Sequence, residues 1–187
     1  MVTGPGSEAV ERAVEALLAG KADTRRSAPH LILAGVAGGL SKRARPGRAY
    51  PISRVVSESG ETRFRLCDDD EGLVLCSVAK AVHSPQAKRD LHSRSGADLV
   101  DLESGGFVLA CQRHGRACSI IRGVSDDATE ALPKGVEAFV DEHGKPRCGH
   151  VLWSLLSHPW RIPAVISLAR RTNAAMVQVA ARLSDRP

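Results

Sequence analysis

Three short stretches hold residues whose types and spacing could do chemistry. They are Gly35-Val36-Ala37-Gly38-Gly39, Asp101-Leu102-Glu103 and Arg122-Gly123-Val124-Ser125-Asp126-Asp127. Each follows an apolar run, so each is expected at the carboxyl end of a strand, where ligands collect in open α/β sheets. Glycines there let backbone N–H groups approach a ligand without side-chain hindrance. Two carboxylates from separate strand ends suit a site in which one holds hydroxyl groups and the other handles a proton. The glycine stretch is not GxGxxG and lacks a following Lys-Ser/Thr, so it supports neither a dinucleotide site nor a P-loop. Taken singly, each stretch also has a plainer reading. The glycines could form a turn, Asp126 or Asp127 could cap a helix after Ser125, and Glu103 could be a surface carboxylate.

The elements that would position these residues follow from periodicity. A helix is predicted over residues 7–18, with Ser7 as its cap, Glu8 and Glu11 near its positive end and Gly20 behind it. Its apolar face is Val10, Val14, Leu17 and Leu18. Before it, Gly4-Pro5-Gly6 reads as a turn out of a short strand at residues 1–3. The run Leu31-Ile32-Leu33-Ala34 reads as a strand buried on both faces, emptying into the glycine loop. Residues 47–66 alternate around Ser59-Gly60 and predict two strands joined by a turn. Strands are also expected at 73–78, 99–102 and 118–124. Ser84-Pro85 opens a helix of about ten residues, and another covers 107–114 before Gly115. Two helices close the chain, at 151–157 and 164–183. The second carries Val165, Leu168, Met176, Val179 and Leu183 on one stripe, with Arg170, Arg171 and Arg182 mostly off it. Strands alternating with helices predict a single three-layer α/β/α domain with a central mixed twisted sheet.

Composition narrows the classes. The chain has 187 residues, enough for one domain with a substantial core, and its apolar share of 43% is ordinary for a globular protein. No apolar stretch is long enough to span a bilayer, and no basic-then-apolar leader opens the sequence. Cys67, Cys76, Cys111, Cys118 and Cys148 are scattered without a CxxC pair, which argues against a disulfide framework or a zinc site; a reducing cytoplasm and no metal are expected. The net charge is +5, and the densest basic run is Lys42, Arg43, Arg45 and Arg48. Aromatic residues make up only 3%, so no stacking platform for nucleic acid is present. That run is read as a solvated loop.

Together and in order, the three stretches resemble the nucleoside phosphorylase superfamily, most closely its methylthioadenosine/S-adenosylhomocysteine nucleosidase branch. The resemblance rests on residues 33–40, on Gly96-Ala97-Asp98-Leu99-Val100-Asp101-Leu102-Glu103-Ser104, and on Ile121-Arg122-Gly123-Val124-Ser125-Asp126-Asp127-Ala128. Ser84-Pro85-Gln86-Ala87-Lys88 and His158-Pro159-Trp160-Arg161-Ile162-Pro163-Ala164 are similar to the hopanoid-associated phosphorylase-like proteins. Asp101 and Leu102 stand where the family usually has Glu and Met.

The resemblance implies cleavage of the N-glycosidic bond of an adenosyl-type nucleoside, an adenosyl-lipid such as adenosylhopane among the candidates. Asp126 would donate a proton to purine N7, and Glu103 would hold the ribose hydroxyls and steady an oxocarbenium-like sugar. Leu102 would pack on the sugar, and Gly35, Ala37 and Gly38 would line the wall from which the nucleophile attacks. Arg122 would support the acidic residues, and Ser125 would orient Asp126. Sheltering should raise the pKa of such an acid toward neutrality. The family usually has a strand and loop ahead of the segment that begins here at Met1. That piece supplies a glutamate activating water, or phosphate-binding groups, so the base is unassigned. No cofactor is implied, although phosphate is a possible co-substrate; water is the expected nucleophile because Val36 and Ala37 bring no hydroxyl and Arg43 and Arg45 lie past the glycines. A homodimer is implied by the resemblance alone. The competing readings are a phosphorolytic enzyme, a catalytically silent nucleoside-binding protein and, from another class, a basic nucleic-acid-binding domain.

Overall fold

The computed structural model describes residues 6–19, 30–66, 72–132 and 162–185. The expected strand at 1–3, the helix at 151–157 and the residues His158 to Arg161 lie outside them. The described elements run α1 (Ser7–Leu18), β1 (Leu31–Gly39), β2 (Ala49–Val56), β3 (Thr62–Arg65), β4 (Leu73–Ser77), α2 (Pro85–Ser95), β5 (Leu99–Asp101), α3 (Ser104–Arg113), β6 (Cys118–Asp126) and α4 (Ile162–Ser184).

The strands form one mixed sheet in the order β3-β2-β4-β5-β1-β6. Neighbours β2–β4, β4–β5 and β1–β6 are parallel, while β1–β5 and β2–β3 are antiparallel. In addition, β6 pairs antiparallel with the first residues of β2, from Ala49↔Gly123 to Pro51↔Ile121, so the curling sheet meets itself. The apolar runs supply the reason for burial on both faces. Val10 and Val14 of α1 and Phe107, Val108 and Cys111 of α3 pack with Leu33, Val55, Leu75, Leu99 and Ile120. Leu91 of α2 packs with Val56, Val74, Cys76 and Val100, and Val179 of α4 packs with Ala49 and Ile121. Each such side chain removed from water contributes roughly 1.5–3 kcal/mol.

Several local expectations change. The position before α1 is Gly6, at a positive φ of 101°, and no side chain caps the helix. Ser7 instead donates its hydroxyl hydrogen bond to the Leu102 carbonyl at 3.0 Å, tying α1 to the end of β5. The glycine stretch is not a loop: β1 runs through it to Gly39, paired with β6 on one side and β5 on the other. Likewise β6 continues to Asp126, and a turn rather than a helix follows, with Asp127 accepting from the backbone and hydroxyl of Thr129 at 2.7 and 2.6 Å. Helix α3 starts at Ser104, three residues before Phe107. On α4 the inward stripe is Val165, Leu168, Thr172, Ala175 and Val179, whereas Met176 and Leu183 are exposed. The contact of α4 is set by Gly123: a Cβ there would stand 2.8 Å from the Ala175 Cβ and 3.0 Å from its carbonyl oxygen, so glycine permits the close approach. Ser84 does cap α2, accepting from the Ala87 N–H at 3.1 Å with Pro85 behind it.

Candidate active site

The site is assembled across three adjacent strands, β5, β1 and β6. Parallel pairing sets Gly35 opposite Arg122 and, after a register shift, Gly38 opposite Asp126. Antiparallel pairing sets Gly38 opposite Val100 and Gly39 opposite Leu99, so β5 lies beside the end of β1. Arg122 is buried, and its guanidinium reaches across β1 to ion-pair with Asp101 and with Glu103, the latter at 2.8 Å. It can do so because residue 35 is glycine; a Cβ at that position would collide with the guanidinium. Asp101 in turn accepts from the hydroxyl and backbone N–H of Ser104, which opens α3.

Burial pushes the Glu103 carboxyl above the ordinary glutamate value of 4.5; Arg122 pulls it down and neighbouring Asp101 pushes it up, and the net direction is upward. The backbone of Gly6, at the start of α1, also hydrogen-bonds this carboxylate. Arg122 is held above its usual range: burial lowers it, but the charges of Asp101 and Glu103 prevail.

Asp126 is 2% exposed. Its Oδ1 accepts from the Ser125 hydroxyl at 2.6 Å, and that hydroxyl also lies 3.2 Å from the Ala37 carbonyl. Its Oδ2 ion-pairs with Nζ of Lys88, which is itself fully buried. Lys88 completes its three donors with the carbonyls of Asp127 at 2.6 Å and Glu130 at 2.9 Å. A fully buried lysine is rare unless paired and hydrogen-bonded, and here all three protons have acceptors. Asp127 is held below the usual aspartate range: burial raises it, but the Thr129 hydrogen bonds and the Lys88 charge outweigh that. Sequence reasoning left Lys88 without a role. The available signal was its place on α2, where it shares a buried face with Leu91 and Ser95 at helical spacing; a lysine on an apolar stripe demands a buried partner.

Glu103 and Asp126 both face one cavity of about 340 Å³, also lined by Val36, Ala37, Gly38, Leu102, Ser125 and, from α4, Leu168 and Thr172. That volume is within the usual range for a small-molecule site. Of the residues singled out from sequence, Gly35 and Arg122 do not line this cavity; they lie together beneath it. Arg43, considered for phosphate, is bound at 3.2 Å to Asp98 instead. A larger cleft of about 490 Å³ lies between α1, α3 and the Ser57–Ser59 turn, lined by Ser7, Glu11, Glu58 and Gly106 among others. It is lined by acidic and hydroxyl groups without a buried charge pair behind them, so the smaller cavity is the better candidate. Among the described residues no cluster of His, Cys, Asp or Glu has the makings of a metal site, and no helix is long and apolar enough to cross a membrane.

A family model described as "Phosphorylase superfamily" matches residues 70–157, a span that includes β4, α2, β5, α3 and β6. Aminodeoxyfutalosine nucleosidase of Helicobacter pylori strain 26695 is 32% identical over 69 residues, 37% of this chain and 30% of the relative. The chain thus aligns with less than a third of the length of that relative. The fold is similar to that of a Helicobacter pylori futalosine hydrolase, with a TM-score of 0.52 at 18% identity over 67% of this chain and 65% of the other. It is also similar to a 5′-methylthioadenosine/S-adenosylhomocysteine nucleosidase from Colwellia psychrerythraea solved with adenine, with a TM-score of 0.60 at 12% identity over 95% and 72%. A third likeness is to the corresponding nucleosidase of S. pneumoniae, with a TM-score of 0.54 at 15% identity over 68% and 66%. Sequence match and fold both point one way: residues 70–157 are similar to the phosphorylase superfamily, and the fold is similar to that of its nucleosidases.

Proposed function

We propose that the chain cleaves the N-glycosidic bond of an adenosyl-type purine nucleoside, with water as nucleophile. The observation that carries this reading is the pair of carboxylates on one cavity, each backed by its own buried cation: Glu103 by Arg122 and Asp126 by Lys88. In this reading Glu103 accepts hydrogen bonds from the ribose hydroxyls and stabilises positive charge growing on the sugar. Asp126 addresses purine N7 as the C1′–N9 bond breaks and its electron pair moves onto the base. Protonating N7 spares the enzyme the expulsion of a purine anion, and general acids of this kind contribute about 10² to 10⁴-fold. Ser125 fixes one oxygen of Asp126, leaving the carboxyl a single orientation. Ala37 and Gly38 leave room beside the sugar, and Leu102 gives it an apolar surface. Water is favoured over phosphate because, among the described residues, the cavity is lined by no Lys or Arg, and a phosphate needs converging donors or cations.

The test is release of free adenine from adenosine, 5′-methylthioadenosine or an adenosyl-lipid, each with and without phosphate. Release without phosphate supports hydrolysis, and release only with phosphate makes the enzyme a phosphorylase. Saturable adenine binding without release from any of them would leave a nucleoside-binding protein and sink the catalytic reading. The same reading carries a homodimer, which sedimentation of the protein would register as a two-chain species.

A further inference from the structure

Asp126 as it stands in this structure poses a problem for its proposed task. An acid must hold a proton, yet Asp126 is one half of an ion pair with a buried lysine. A carboxylate facing an ammonium ion favours its charged form. Lys88 directs one Nζ donor at the Asp126 carboxylate and does not itself line the cavity. We infer that Lys88 is the proton reservoir of the site, a positioning residue that passes a proton through the Asp126 carboxylate to the departing purine.

This inference rests on the nucleosidase reading of the cavity. In the step, the C1′–N9 bond breaks and both electrons go to the base. N7 takes a proton from the Asp126 carboxyl, and that carboxyl has taken one from Lys88 Nζ. Asp126 ends as the carboxylate it began as, Lys88 ends as a neutral amine, and the purine leaves neutral. Water adding to the anomeric carbon releases one proton, which restores the ammonium ion. Atoms and charge balance over the cycle without any further reactant.

The surroundings of Lys88 suit such a cycle. Its other two acceptors are the carbonyls of Asp127 and Glu130, which hydrogen-bond an ammonium ion without competing for its proton. Charged groups near Lys88 include Asp126 on β6, Asp127 and Glu130 just beyond that strand, and Arg171 of α4, which pairs with Glu130 at 2.6 Å; His83 precedes α2, and Asp98 and Asp101 flank β5, on which α2 packs. Asp127 is committed to Thr129 and Glu130 to Arg171. Asp126 is thus the carboxylate through which Lys88 meets the cavity. Helix α2 holds the lysine in place by the Ser84 cap at one end and Gly96, in the left-handed region at φ 65°, at the other.

The experiment is the pH profile of kcat for adenine release by the intact protein and by Lys88→Arg and Lys88→Met. Arginine keeps the positive charge but does not give up its proton at working pH. Lys88→Arg is expected to lose about 10²-fold in kcat, the scale of a general acid, with KM within about threefold. Lys88→Met removes the donor altogether, so its kcat is expected to fall on the same scale. A Lys88→Arg protein with unchanged kcat and profile would overturn the inference. Should either variant fail to fold, the proton inventory of the unmodified enzyme in mixed light and heavy water decides: a bowed dependence supports two protons moving together, and a straight one overturns it. If the unmodified protein releases no adenine, the nucleosidase reading fails, and the coupling is read separately from the ¹³C resonance of the Asp126 carboxyl. Its titration shifting to higher pH in Lys88→Met supports the coupling, and an identical titration refutes it.

Discussion

Each carboxylate at this site is held by a buried partner of opposite charge, and that governs what substitution does. Asp126→Asn keeps the shape and the Ser125 contact but removes the transferable proton. Its kcat should drop by about 10² to 10⁴-fold, and because it leaves the buried Lys88 without its counter-ion the unfolding temperature should fall as well, measured by adenine release and a thermal melt; full activity would remove Asp126 from its assigned role. Arg122→Met is expected to act on stability. It strips the buried Asp101 and Glu103 of their shared cation, and breaking a buried pair of this sort costs about 3–5 kcal/mol; denaturant unfolding would show it. Glu103 yields a pH prediction. Its carboxyl is raised, chiefly by burial, so the fold favours the protonated form. Its share of stability is present below 4.5, the ordinary value, and is lost as pH rises through the folded value. Ribose binding needs the ionised form, so the acid limb of kcat/KM should lie above pH 4.5; a limb at or below that value contradicts the burial argument.

At the scale of elements, glycines decide where charges can go. A glycine inside a strand costs about 0.5–1 kcal/mol relative to alanine, yet β1 keeps three near its end. Gly35 gives Arg122 its path to β5, and a Cβ at Gly39 would stand 2.8 Å from the Asp126 carbonyl. Gly35→Ala should therefore push the guanidinium off Glu103 and destabilise by about 1–3 kcal/mol, with activity falling further than stability alone explains. Gly123→Ala should separate α4 from β6 at a similar cost, seen in the melt. Element types were largely legible from periodicity: the strands at 31–34, 73–78 and 118–124 and the helices over 85–95 and 164–183 all appear in the described residues, with shifted ends. The glycine stretch was misread as a loop because three glycines lower local strand preference, while pairing on both sides restores it. The exposed Met176 and Leu183 were misassigned because a stripe drawn on one helix does not say which edge its neighbour covers.

For the whole molecule, the ends of β1, β5 and β6 frame the cavity, with α4 as one wall. Adenine filling that cavity should stabilise the folded chain by mass action: at about 100 times its dissociation constant the gain is about 2.7 kcal/mol, or a rise of several degrees in Tm for a chain of this length. No rise with millimolar adenine would mean that the cavity does not take the base. The sequence by itself determined the acidic and glycine residues, the apolar runs that make them strand neighbours, and their order, which is enough to point to a superfamily. Only the tertiary structure decided that Gly35 is a passage for Arg122 rather than a wall, and that Lys88 is the partner of Asp126. The physical reason is that both depend on register between strands and helices far apart in sequence, such as the 38 positions separating Lys88 from Asp126, and no local pattern encodes that distance.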